Sequence, residues 1–160
     1  MILPSHDALA IPRDDKAERA LIDCLMHGAT SDALDPGYHI MHPGRLALVL
    51  ALDQLRWCGP WLSMATSEPR HAEPAAQANG IAAGDLVTSA GVWDIAGTDP
   101  FVEIAECYGM AGGHSEHIGY YIGRLDDAMS RRRMIDEALD LLRIAADTAA
   151  VMNRLQEVAA

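Results

Sequence analysis

Two histidine pairs of equal spacing carry the clearest chemical potential in this chain. His39 and His42 sit in YHIMHP, and His114 and His117 sit in GGHSEHIG. Residues three apart share one face of a helix, so each pair can point two imidazoles the same way. The second pair flanks Glu116 and follows Glu103, Glu106 and Cys107 in the sequence. Two imidazoles and one carboxylate form a three-ligand set for zinc or another divalent metal, with a fourth position left for water. One functional reading is therefore a metal-dependent enzyme centred on His114 and His117, with Glu103, Glu106 or Glu116 completing the ligands. HExxH, CxxC and the paired Glu-x-x-His motifs of di-iron bundles are all missing. His39 and His42 precede Pro43 in a turn, where exposure to solvent is expected.

Other groupings have plainer explanations. The run Gly109 to Ser115, GMAGGHS, opens a helix and could offer backbone N–H groups to an anion. No Lys follows it and three Glu lie close in sequence, so it reads as a tight connection needing positive φ. Gly119 and Gly123, one helical turn apart, read as a site of close helix packing. Arg131-Arg132-Arg133 is the single basic run, and Asp126, Asp127, Asp136 and Glu137 lie at helical spacing to pair with it. No serine stands in a GxSxG context.

Trp57-Cys58-Gly59-Pro60-Trp61 resembles the thioredoxin-family active-site motif at four of five positions. Trp61 stands where that motif places its resolving cysteine, so a dithiol couple is impossible. The plainer reading is a helix stopped by Gly59-Pro60 with packed tryptophans. Cys24, Cys58 and Cys107 are widely spaced and odd in number, which predicts reduced thiols and a cytoplasmic protein.

The 160 residues include 23 acidic against 12 basic, a formal net charge of −11. Such a surface repels nucleic acid and anionic membranes and attracts a basic partner. Glu103, Glu106, Glu116, Asp126 and Asp127 would form one negative patch if the helices carrying them are neighbours. These five are the expected contacts to a basic site on a partner protein. The N-terminus lacks the basic and apolar regions of a signal peptide. The run RLALVLAL is too short to span a bilayer and is followed by Asp53 and Arg56.

The elements that must position these residues are helices. Ala and Leu dominate the apolar fraction, and only one Phe is present. An arm at 1–12 precedes a helix from Asp14 or Asp15 to about Met26. A second helix runs from Pro43 to about Cys58. Residues 67–74 read as a surface loop or hinge. A short helix at 74–79 and another at about 81–96, weakened by Gly84 and Gly91, follow. Asp99-Pro100 starts a helix to Tyr108, and a further helix begins near His114. From Leu125 onward the chain contains neither Gly nor Pro. There, Ile135, Leu139, Leu142, Ala146 and Ala149 form one apolar row, and Met134, Ala138, Leu141, Ala145 and Met152 form a second. A helix so broadly apolar needs cover on two sides.

The expected fold is all-α: one domain over residues 1–160, an irregular bundle of about six helices with a long central C-terminal helix. The leading functional expectation is a non-enzymatic, acidic protein-binding module that needs no cofactor. An inhibitor or accessory factor of bacterial or phage origin would suit that description. Such a module works through its acidic face or through the apolar flank of the last helix. The alternatives are the metal-dependent enzyme above and a scaffold subunit that forms homo-oligomers through the C-terminal helix.

Overall fold

The structure, a computed structural model, describes residues 13–58, 69–91, 99–112 and 114–159, with only the backbone at 58 and 69–72. The fold is all-α: an irregular set of six helices with a long last one, and no strand among the described residues. The helices are α1 (Asp15–Met26), α2 (Pro36–His39), α3 (Pro43–Cys58), α4 (Pro69–Ser89), α5 (Pro100–Cys107) and α6 (Ile118–Ala159). A 3-10 turn at Ser115–His117 leads into α6. The arm at 1–12, residues 67–68, residues 59–61 of the tryptophan–cysteine motif, and residues 92–96 lie outside the described residues. No helix among the described residues is long and apolar enough to cross a membrane.

Local chemistry sets the helix ends. The Asp14 carboxylate accepts the Ala17 N–H at 3.0 Å and caps α1, with Asp15 and Glu18 in the first turn. Gly28, at φ 84°, ends it: the Ala29 N–H donates to the Cys24 carbonyl and the Gly28 N–H to the Leu25 carbonyl. That pair of bonds is a Schellman closure, which needs a residue tolerant of positive φ. Asp99 caps α5 through the Phe101 N–H at 2.8 Å, with Pro100 at the first helical position. Gly109 and Gly112 adopt φ of 81° and 62°, as a tight connection after α5 requires.

The chain forms two compact units, Asp14–Asp126 and a second that contains Asp127–Ala160. In the first, α3 lies against α4, α1 and α5, and α4 also lies against α5. Its core draws Leu21, Ile22 and Met26 from α1, Leu48 and Val49 from α3, Ala83 and Val87 from α4, Ile104 from α5, and Ile118, Ile122 and Leu125 from the first turns of α6. Residues 69–74, expected in a loop or hinge, are instead the first turns of α4, which carries Pro74 within it. The helix also passes through Gly84 without interruption. A Cβ at Gly80 would lie 2.8 Å from both Ile104 Cγ2 and Met26 Sδ, and one at Gly84 would lie 2.8 Å from Phe101 Cε1. These glycines let α4 and α5 approach closely, which outweighs their low helix propensity. Gly119 and Gly123 play no such part, since a Cβ at either meets nothing within 4 Å.

The second unit departs from expectation more sharply. Leu139 is 8% exposed, and Ile135 and Ala146 on its face are half-buried. Two-sided cover of the kind read from the sequence is not seen among the described residues. Leu141, Ile144, Val151, Leu155 and Val158 are 56–87% exposed, and Leu142 itself is 47% exposed. The described core lies in Asp14–Asp126, not around the last helix.

Candidate functional site

Polar groups gather at three places, and each has a different character. The first is inside the Asp14–Asp126 unit. Arg45 is the third residue of α3, where a cation meets the positive end of the helix dipole. Carboxylates hold it there. Its Nε donates to Glu103 Oε1 at 2.6 Å, and its Nη1 donates to Asp15 Oδ1 at 2.6 Å and Glu18 Oε2 at 2.8 Å. Arg19 Nε also donates to Glu103 Oε1, at 3.1 Å, and Arg19 Nη2 pairs with Glu106. The second oxygen of Glu18 accepts the Met41 N–H at 2.7 Å. Arg45, Glu18 and Glu103 are all buried.

Electrostatics follow from that geometry. Burial works to lower the Arg45 pKa, but the hydrogen bonds to Asp15, Glu103 and Glu18 outweigh it, and the pKa is raised. For Glu103 burial works to raise the pKa, yet the bonds from Arg19 and Arg45 hold the carboxyl below its ordinary range. Glu103 also lies 3.9 Å from Cys107 Sγ. Burial pushes the Cys107 thiol far up and the Cys24 thiol up to about 12, so both stay protonated and inert as nucleophiles. Each carboxylate is already engaged by an arginine. The cluster therefore ties α1, α3 and α5 together and leaves no base free to act on a substrate.

A second polar group sits beside it. Asp23, fully buried on α1, accepts the Ala111 N–H at 2.9 Å through Oδ2. Its Oδ1 lies 3.3 Å from His27 Nδ1, which is aligned instead on the Asp23 carbonyl at 2.8 Å. The Asp23 carboxylate raises the His27 pKa against the opposing effect of burial.

The histidine pairs separate. His39 is buried, contrary to the exposure expected of it: its Nε2 donates to Asp126 Oδ1 at 2.9 Å. His42 accepts the Arg45 N–H on Nδ1 at 3.3 Å and so helps to start α3. His114 and His117 stack at 5.1 Å between ring centroids, as residues three apart do in a 3-10 turn. Their ligand atoms and a Glu116 oxygen lie within 4.8 Å of one another, and all three residues are exposed. His114 Nδ1 is 3.1 Å from Glu116 Oε1. This trio has a metal-ligand composition, with Glu116 as its carboxylate. Glu103 and Glu106, the other acids considered for that set, are bound to Arg19 and Arg45 instead.

The acidic face is likewise redistributed. Glu103 is 5% exposed and cannot meet a partner. Glu106 is engaged by Arg19, and Asp126 by His39. Glu116 and Asp127 are exposed. The five acids thus do not share one surface role.

Apart from these polar groups stands the apolar flank of α6. Leu141, Ile144, Thr148, Val151, Leu155 and Val158 recur at alternating steps of three and four, which keeps them on one side of a helix. That side is centred about 150° from Leu139 around the helix. No family model, curated protein or solved structure matches the chain, so its function must be argued from this geometry.

Spacing alone does not join Arg45, Glu18, Asp15 and Arg19 into one cluster. A signal was present: Glu18 falls beside Ala17, Leu21 and Ile22 on the apolar side of α1, and Arg45 opens the run RLALVLAL. A charge embedded in an apolar face predicts a buried partner of opposite sign.

Proposed function

We propose that this chain is a non-enzymatic protein-binding module that works through the apolar flank of α6. The observation that carries the reading is the exposure of Leu141, Ile144, Val151, Leu155 and Val158 in coiled-coil register. A contiguous apolar stripe of this kind marks a protein interaction surface, whereas scattered exposed side chains would not. The buried arginine–carboxylate cluster supports the same reading, because its acids are committed to holding helices together. Docking an amphipathic face against another helix or into a groove is the recognition mode that fits.

The test compares the wild-type chain with the double variant Ile144→Asp and Leu155→Asp, each tagged and purified from host cells that also express a second, differently tagged copy. Proteins that depend on the flank, the second copy included, should accompany the wild type and be lost from the variant. An identical set recovered with both would overturn the proposal.

A second reading has one observation in its favour, the close approach of His114, Glu116 and His117. On that reading the chain binds zinc at the start of α6, and calorimetric titration should show a stoichiometric site lost in His114→Ala. Equal heats from wild type and variant would remove it.

A further inference from the structure

We infer that the occupant of the α6 flank is a second copy of this chain, paired antiparallel over Leu141–Val158. The inference rests on the reading of that flank as a binding surface and adds the identity of the partner.

Charge argues first against a basic partner. The chain as a whole carries −11, but Leu141–Val158 contains Arg143, Asp147, Arg154 and Glu157, two charges of each sign. The stripe is neutral in an otherwise acidic protein, which lets two copies approach there without repulsion.

Register argues for the antiparallel arrangement. Setting Leu141 opposite Val158 of the second copy also sets Ile144 opposite Leu155 and Thr148 opposite Val151. The two-fold axis repeats each layer once. Along one edge of this seam, Asp147 of each copy meets Arg154 of the other, giving two ion pairs of opposite sign. Among the described residues neither Asp147 nor Arg154 has an ion-pair partner within its own chain. Along the other edge Ala145 meets Met152, a small residue beside a large one, and Met152 is 53% exposed in the single chain. Thr148 is the polar position in the seam. Its hydroxyl already donates to the Ile144 carbonyl at 2.9 Å, so burial leaves no unpaired donor.

The parallel alternative fits poorly. In register, it sets Asp140 beside Ala145, Asp147 beside Met152, and Arg154 beside Ala159, so no charge finds a partner. It also extends the seam back to Glu137, which would face its own copy. The antiparallel pairing begins at Leu141 and avoids that contact. The paired segment is about 26 Å long at 1.5 Å per residue.

Sedimentation equilibrium of the full chain, from about 1 to about 500 µM, is the test. The mass should approach twice 17.2 kDa with increasing concentration. Ile144→Asp should raise the dissociation constant about 100-fold or more, because it buries unpaired carboxylates. Asp147→Arg alone and Arg154→Asp alone should each raise it about 10-fold, and the two together should restore it to within about 3-fold. All these positions are exposed, so circular dichroism should remain helical in each variant. A chain that stays monomeric throughout overturns self-pairing. A double swap no better than either single change overturns the antiparallel register. Failure of this inference alone would leave partner capture from cells still sensitive to Ile144→Asp and Leu155→Asp. Failure of the binding module itself would leave that capture unchanged.

Discussion

The two units of this chain invert each other's usual composition. Asp14–Asp126 buries charge: Glu18, Asp23, Arg45 and Glu103 all lie within it at 5% exposure or less. Asp127–Ala160 exposes hydrocarbon: Leu141, Ile144, Val151, Leu155 and Val158 each stand more than half in solvent. Residue type alone does not decide burial. Arg45 is buried because three carboxylates reach it within 2.8 Å, which compensates its lost hydration. The leucines of α6 are exposed because nothing described in the chain covers that side. The first unit satisfies its buried charges within itself, whereas the apolar flank of the second stands exposed.

The largest expected effect tests the buried side of this contrast. Arg45→Ala should cost about 3–5 kcal/mol in urea unfolding, since it leaves Glu18 and Glu103 buried with fewer donors. Its carboxyls would then take up protons more readily. A loss under about 1 kcal/mol would show that the cluster is solvated and the contrast overstated. The same cluster gives an acid dependence. The Glu103 pKa is lowered in the folded state, so its contribution is present above the ordinary carboxyl range and is lost as pH falls through the folded value. Unfolding midpoints of the wild type should drop on acidification more steeply than those of Glu103→Gln.

Next comes the packing contrast. Leu48→Ala, at a fully buried position of α3, should cost about 2–5 kcal/mol. Leu155→Ala should cost under about 0.5 kcal/mol when measured in dilute solution, as surface substitutions do. Equal losses would mean that the α6 flank is covered within the chain. Leu142, which the sequence placed on a covered row, sharpens this test: at 47% exposure it should fall between the two.

A smaller effect concerns His27. Its folded pKa is raised by Asp23, so its stabilisation is full below the ordinary histidine pKa and is lost as pH rises through the folded value. The stability difference between wild type and His27→Asn should therefore shrink from pH about 6 to about 8. A difference that grows over that interval would contradict the assigned ion pair.

The helices of the first unit were legible because their caps are local. Asp14, Pro43 and Asp99-Pro100 mark starts that the chain obeys, and Gly28 and Gly109 mark ends. The loop expected up to residue 74 is helical, with Pro74 inside α4, and at Gly84 tertiary contact outweighs propensity, since it sits against Phe101. The candidate site was legible in part. His114, Glu116 and His117 meet because they are neighbours in sequence, whereas Arg45 and Glu103, 58 residues apart, meet only through the packing of α3 against α5. Periodicity marked two apolar rows on α6 that share only Leu141 with the exposed flank, and it did not say which side the chain would cover. That depends on what lies opposite, and no spacing rule encodes it.

Covalent capture tests the central claim most directly. A photoreactive phenylalanine analogue placed at Ile144 reports any protein within a few ångströms of the flank in living cells. The same analogue at Arg143, exposed but turned away from the flank, is the control. The account predicts a discrete adduct from position 144, absent from position 143 and lost when Leu155 is changed to Asp. No adduct from position 144, or the same adducts from both positions, would contradict it.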